Sequence, residues 1–394
     1  MKSPTIYTVT ILIVLSLIQI CNGKIILISP QEGIEVAISN AIEGDTLQFQ
    51  PGIYTGVLNK NITINTNGLY ITSISGAENT IIDLENNGRA FNIEGNVDST
   101  CLIEGLTFRN GNVNRVSGGA ISTLSATPRL KNCIFENNYA DQAGAIRGCF
   151  YSVENCIFSD NRVATHGGAM TLYGGCSTIL KNCLFVNNDA IEGSAVSCIQ
   201  SSPIFINCTF VKNKGLSAVN LFSSAKPIFE NCILAFNEEY AFSYMTFSGD
   251  DYNNPSFFCT NISENQYDWD SEISHHLGQN GNISLDPLFC DIENNDFSIS
   301  SDSPCALANN ECGVLIGCFY VQCGAPFQCG DINGDGLMAL DDVAYLSAFV
   351  FCEGEYMYPD NAGDLNNDDF INIVDVMLLY RYVVNDITPT KCLN

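Results

Sequence analysis

Positive charge is scarce in this chain. Its 394 residues hold 16 Lys and Arg against 43 Asp and Glu, for a net charge of -27. Such a surface repels phosphate backbones and anionic headgroups, which excludes nucleic acid as a partner class. Histidine (3) and tryptophan (1) are nearly missing as well. Long apolar runs are lacking too. Ile11 to Ile20 is the longest, and it falls short of the roughly 20 residues that span a bilayer, so no membrane span is expected in the mature chain. With Lys2 before it and the small Gly23 after it, the run reads as the core of a secretory signal peptide over 1–23. A lipid-modified Cys21 is the rival reading, and the bulky Ile20 argues against it.

Cysteine is plentiful. Of 19, Cys21 leaves with the leader, and the even remainder suits an oxidising, extracellular compartment or the cell surface. Sequons at Asn61, Asn207, Asn261 and Asn282 fit secretion in a host that glycosylates.

The middle of the chain repeats itself. Leu130, Cys133, Phe135 and Asn138 return as Val153, Cys156, Phe158 and Asn161, then as Leu180, Cys183, Phe185 and Asn188. They return again as Phe205, Cys208, Phe210 and Asn213, and as Phe229, Cys232, Leu234 and Asn237. A period near 25 residues marks a solenoid whose units bury apolar faces only against their neighbours. Cys and Phe, two apart, share one face of a short strand. The Asn three residues on marks a turn whose stacked amides can form a ladder. A second strand follows at Gly118-Gly119-Ala120-Ile121, Ala143-Gly144-Ala145-Ile146, Gly167-Gly168-Ala169-Met170 and Gly193-Ser194-Ala195-Val196. The leucine-rich repeat matches the first strand but requires a leucine-rich return, where this chain has paired glycines and small residues. The fold class expected is therefore mainly β, a parallel β-helix of about ten coils over 24–324. Ile34, Ile38 and Ile42 predict a helix across its open first coil, and the Cys-rich stretch from Ser303 to Cys323 is expected to close its far end. This region resembles the right-handed parallel β-helix proteins of the pectin-lyase-like superfold and, in its F-x-x-N and G-G-A-I elements, is similar to polymorphic outer-membrane-type surface proteins. That resemblance implies a fold shared by lyases, hydrolases and adhesins alike.

After a linker at 325–329 the composition turns acidic. Residues 330 onward hold ten Asp and two Glu against Arg381 and Lys391. Asp331, Asn333, Asp335, the Leu337 carbonyl and Asp342 keep the spacing of an EF-hand loop. Asp364, Asn366, Asp368, the Phe370 carbonyl and Asp375 repeat it 33 residues later. Oxygen ligands at positions 1, 3, 5, 7 and 12 suit Ca2+. A helical pattern follows each loop, at Val343, Leu346 and Val350 and at Val376, Leu379 and Val383. This duplicated loop-helix over 330–388 looks like a type I dockerin, an EF-hand-like module, and the resemblance implies a cohesin-type scaffold as partner. Two positions depart from the pattern. Asp369 stands where the loop glycine belongs, and Leu340-Asp341 and Ile373-Val374 stand where dockerins present contact residues such as Ser-Thr.

Catalysis needs polar groups converging on one surface. Aligning the coils on Phe puts Tyr139, Arg162, Asp189 and Lys214 in one column. Aligning on the glycine pairs puts Gln142, His166 and Glu192 in another. Arg162, His166, Asp189 and Glu192 are thus the candidate residues of a polysaccharide lyase or glycoside hydrolase, with a solvated polar corner as the blander reading. The stretch Glu238–Gln279 breaks the period. Its Trp269 beside Asp268 and Asp270 suggests a sugar or cation site, or simply a long surface loop, and His275-His276 alone makes no metal site because no partner at ligand spacing accompanies it. The Cys133, Cys156, Cys183, Cys208 and Cys232 column is expected to be a reduced interior ladder, since parallel Cβ vectors suit a disulfide poorly. Cys149, Cys176, Cys198 and the Cys290–Cys323 cluster are the disulfide candidates. The function expected is that of a secreted β-helix that binds carbohydrate or protein partners, with polysaccharide breakdown as the alternative.

Overall fold

A computed structural model describes residues 23–245, 252–324, 330–332, 338–352, 363–366, 371–385 and 387. The proposed leader and linker, and the loop residues Asn333, Asp335, Leu337, Asp368 and Phe370, lie outside them.

The repeat becomes a parallel β-solenoid. In one coil the chain passes through Arg129–Lys131, Ile134–Glu136, Tyr139–Gln142 and Ile146–Arg147, each strand pairing in parallel with its counterparts in adjacent coils. Three long sheets result. The first has ten strands, from Ile25–Ile28 to Ser256–Phe258. The second has nine, from Gly52–Tyr54 to Asn261–Ser263, and the third eight, from Ile62–Ile64 to Tyr240–Met245. Among the described residues no helix is long and apolar enough to cross a membrane.

The interior is filled by columns of like residues, because a register without slip stacks each repeat position on itself. Phe108, Phe135, Phe158, Phe185 and Phe210 stack with ring centroids 4.8–5.1 Å apart. Their offset contacts add to the burial of about 2–3 kcal/mol per ring. The cysteine column is buried beside them, and all five thiols are free.

Two asparagine columns hold the corners. At the second corner, each amide Nδ2 donates to the next coil's Oδ1 at 2.9–3.0 Å, from Asn138 through Asn161, Asn188, Asn213 and Asn237 to Asn265. The ladder ends on Asp268, whose Oδ1 accepts from the Asn265 backbone N–H and side chain. At the first corner Asn132, Asn155, Asn182, Asn207 and Asn231 take left-handed φ of 51–54°. Asparagine tolerates that conformation better than other residues with a side chain. The Asn-Cys dipeptide of every repeat is the sequence trace of this corner.

Several expectations need correction. The capping helix is Ile34–Ser39 with Ile34 and Ile38 buried, but Ile42 lies beyond it and is exposed. Asn40 ends the helix, and the chain then turns into the first coil, where the Asp45 carboxylate accepts from the Ile42 N–H. The segment 297–319 does not close the rod; it folds back along the second sheet. That sheet needs a cover because Leu184–Val186, Thr209–Val211 and Ile233–Ala235 are buried on both faces. Phe297 packs with Leu184, Val186 and Val211, and Ile299, Cys305 and Ile316 pack with Ile233 and Ala235. The far end is closed instead by the 252–285 stretch. There Trp269 and His276 meet Phe257 edge-on at 5.4 and 5.3 Å, and Trp269 Nε1 donates to the Ile283 carbonyl. Cys149 pairs with Cys176 and Cys290 with Cys323, as the candidates suggest. Cys312 pairs with Cys259, and Cys198 is a buried free thiol. Of the sequons, Asn261 and Asn282 are buried and donate to the Leu285 and Phe257 carbonyls, so neither can carry a glycan in this fold.

Candidate functional site

Strand register places the predicted columns side by side. Tyr139 aligns with Arg162, Arg162 with Asp189, and Asp189 with Lys214. Arg162 Nε lies 3.4 Å from Asp189 Oδ2, with the side chains 70% and 44% exposed. A pair so open to water adds about 0–1 kcal/mol and exerts no focused field. His166 aligns with Glu192, and its Nδ1 stands 3.7 Å from Glu192 Oε2. This pair is more enclosed, the Glu192 side chain being 18% exposed. Glu192 Oε2 also accepts from Asn220 Nδ2 at 3.0 Å, which fixes the carboxylate.

That asparagine belongs to an outward row on the third sheet which the predicted columns omit. Arg147, Thr171, Ser197, Asn220 and Ser243 follow one another in register. Ser197 Oγ donates to Asn220 Oδ1, and Asn220 Nδ2 reaches Ser243 Oγ at 2.9 Å. The row could have been found in the sequence, because each member follows an alanine and a larger apolar residue, as in Ala145-Ile146-Arg147, Ala169-Met170-Thr171, Ala195-Val196-Ser197, Ala218-Val219-Asn220 and Ala241-Phe242-Ser243. Beyond Ser243 a cavity of about 230 Å³ is bordered by Tyr240, Tyr244, Asp270 and Glu272. Burial pushes the Asp270 carboxyl above its usual range. It raises the Tyr244 phenol too, with the Asp270 charge adding to it. Of the other insert residues, Asp268, Trp269 and His276 are used in packing and capping, as described above.

A larger groove, of about 740 Å³, runs along the outer face of the first sheet. Glu104, Lys131, Glu154 and Lys181 follow one another across four coils, beside Arg129 and Ser152. Coils about 4.8 Å apart make this a strip of alternating donors and acceptors. Tyr70 Oη donates to Glu104, and Lys131 Nζ stands 3.8 Å from it. Phe349, on the C-terminal helix Leu340–Cys352, forms part of the wall, and Tyr345 of the same helix meets Tyr320 hydroxyl to hydroxyl at 3.1 Å.

The acidic module keeps its internal duplication in three dimensions. Asp342 accepts from the Ile332 and Ala339 N–H groups, both at 2.7 Å. Asp375, 33 residues on, accepts from Leu365 and Asn372 at 2.9 and 3.0 Å. Ile332, Leu346, Leu365, Val376 and Leu379 form a small core between the helices Leu340–Cys352 and Ile373–Val384. Asp331, Asp342, Asp364 and Asp375 are all buried. Backbone N–H donors offset part of the cost of burying Asp342 and Asp375, and among the described residues no three carboxylates converge on one point. The all-oxygen donor set fits a hard divalent ion.

No family model matches the chain, and no curated protein matches it. Among solved structures, the crystal structure of pectate lyase Pel9A aligns over 77% of this chain and 98% of that chain, with a TM-score of 0.35 and 13% identity.

Proposed function

We propose that this protein is a secreted or surface-displayed β-solenoid that binds carbohydrate along its first sheet and is attached through its C-terminal module. The observation that carries this reading is the first-sheet groove. Its donors and acceptors recur at the coil spacing, which suits a ligand that itself repeats, such as a polysaccharide. A panel of acidic and neutral oligosaccharides tests it by calorimetry. At least one is expected to bind, and Lys131→Ala with Lys181→Ala to weaken binding at least tenfold. If no glycan binds, or if the double variant binds as well as the parent, the groove is not the site.

The attachment reading rests on the helix Ile373–Val384. Ile373, Met377, Tyr380 and Val384 form an exposed apolar stripe with the i, i+4, i+7, i+11 spacing of one helix face. A cohesin-type scaffold is the partner it fits. Asp331, Asp342, Asp364 and Asp375, with Asn333, Asp335, Asn366 and Asp368 and the Leu337 and Phe370 carbonyls, would hold Ca2+, which would balance the buried carboxylates. In the full chain, chelation is expected to lower the unfolding temperature of one transition and restored Ca2+ to recover it. An unchanged melting profile would sink the calcium assignment.

A second reading, a polysaccharide lyase or glycoside hydrolase, is favoured by the His166–Glu192 pair. Glu192 is held by Asn220 beside an imidazole, an acid–base couple able to move a proton on a bound sugar. Product release from a glycan, lost in Glu192→Gln and kept in Asp189→Asn, would establish it.

A further inference from the structure

We infer that the ligand of the first-sheet groove is a glycan in which a uronic acid alternates with a neutral sugar, an assignment that rests on the carbohydrate-binding reading of that groove. Glu104, Lys131, Glu154 and Lys181 occupy one outward column, one residue per coil. All four are half-buried, so each is held against the sheet and still faces the groove. Charge therefore reverses at every step along the rod. Like charges recur at every second coil, about 9.6 Å apart for a strand spacing of about 4.8 Å. The two carboxylates differ in what they meet. Glu104 is taken up by the protein, since Tyr70 Oη and Asn132 Nδ2 donate to it and Lys131 Nζ lies 3.8 Å away. The Glu154 carboxylate accepts no hydrogen bond and forms no ion pair among the described residues, although a lysine stands in the coil on either side. Lys131, Glu154 and Lys181 thus present a cation, an open acceptor and a cation in three successive coils.

A pyranose residue advances an extended glycan by nearly one coil, so three charge patterns can be laid along this column. A homopolyuronate, with a carboxylate on every sugar, gains at the two lysines and is repelled at Glu154. A neutral glycan can donate to Glu154 but brings no counter-charge to either lysine. An alternating glycan matches all three positions, with carboxylates at Lys131 and Lys181 and a hydroxyl or amide N–H at Glu154. Like-charge juxtaposition is what rejects the wrong ligand, and Glu154 is the residue that supplies it. An extended peptide falls out of step, because its side chains recur on one face at about 6.8 Å.

The experiment is calorimetric titration of the full chain, at fixed ionic strength, with three hexasaccharides. They are hyaluronan, in which glucuronate alternates with N-acetylglucosamine, then hexagalacturonate and chitohexaose. The hyaluronan hexasaccharide is expected to bind at least tenfold tighter than either of the others. Glu154→Lys, which makes the column cationic in three successive coils, is expected to reverse that preference in favour of hexagalacturonate. Glu154→Gln, which removes the repulsion and keeps the size, is expected to narrow the gap between the two acidic ligands. A parent preference smaller than tenfold, or a ratio unchanged in both Glu154 variants, overturns the alternating pattern and leaves the groove a carbohydrate site. If none of the three binds, the alternating pattern is overturned as well, and the wider oligosaccharide panel decides whether the groove binds any glycan.

Discussion

The Asn188 side chain serves four groups at once. Its Oδ1 accepts from the Asn161 backbone N–H and side-chain amide, and its Nδ2 donates to Asn213 Oδ1 and the Phe158 carbonyl. Asn188→Ala strands these partners where water cannot reach, and each unsatisfied group costs about 1–3 kcal/mol. A loss of about 3 kcal/mol is expected in urea unfolding. Replacing an exposed first-corner amide such as Asn155 should cost far less, since water substitutes for its partners. Asp45 shows the same economy at the N-terminal end. Its hydrogen bond from the Ile42 N–H, aided by that from Lys24, draws the carboxyl below its usual range although burial opposes it. A lowered folded pKa contributes stability above the unfolded value of about 3.9, lost as pH falls through the folded value. Acid melting curves should show this loss below about pH 4 in the parent and a flatter profile in Asp45→Asn.

At the scale of the strand, three residues decide which surfaces are dry. In Arg129–Lys131 only the central side chain is buried, and the flanking residues line the groove. In Leu184–Val186 and Thr209–Val211 all three residues are buried, so that sheet requires the 297–319 cover. The inward thiols follow from the same alternation. Burial raises the Cys156, Cys183 and Cys208 thiols well above their ordinary pKa, leaving no thiolate near neutral pH. A thiol reagent should therefore leave the five-cysteine column unmodified in the native chain and label it after unfolding. Rapid native labelling would show that the column is not interior.

For the whole molecule, a solenoid has two ends and long flanks, and its stability is a sum over neighbours. The Cys259–Cys312 bridge spans 53 residues and ties the flank cover to the last coils. Opening it in Cys259→Ala is expected to cost about 4 kcal/mol and to bring proteolysis first within 286–323. If the coils of 130–240 were cut first, the cover would not depend on the bridge. The C-terminal module adds a second small core, which meets the rod at Tyr320 and Tyr345.

The coil was legible because a register with no slip repeats one set of local demands. An inward Cys and Phe, a buried Asn and a bend at Gly each had to recur near every 25 residues. Those columns, the alignment of Arg162 with Asp189 and of His166 with Glu192, and the duplicated acidic loops are determined by sequence alone, since neighbouring coils read the chain at a fixed period. Only the tertiary structure decided which outward residues stay wet, that Asp268 ends the asparagine ladder, that Trp269 closes the rod, and that 297–319 lies along the flank. Those outcomes depend on contacts between segments outside the period, where no repeated position constrains the partner and shape and burial choose it.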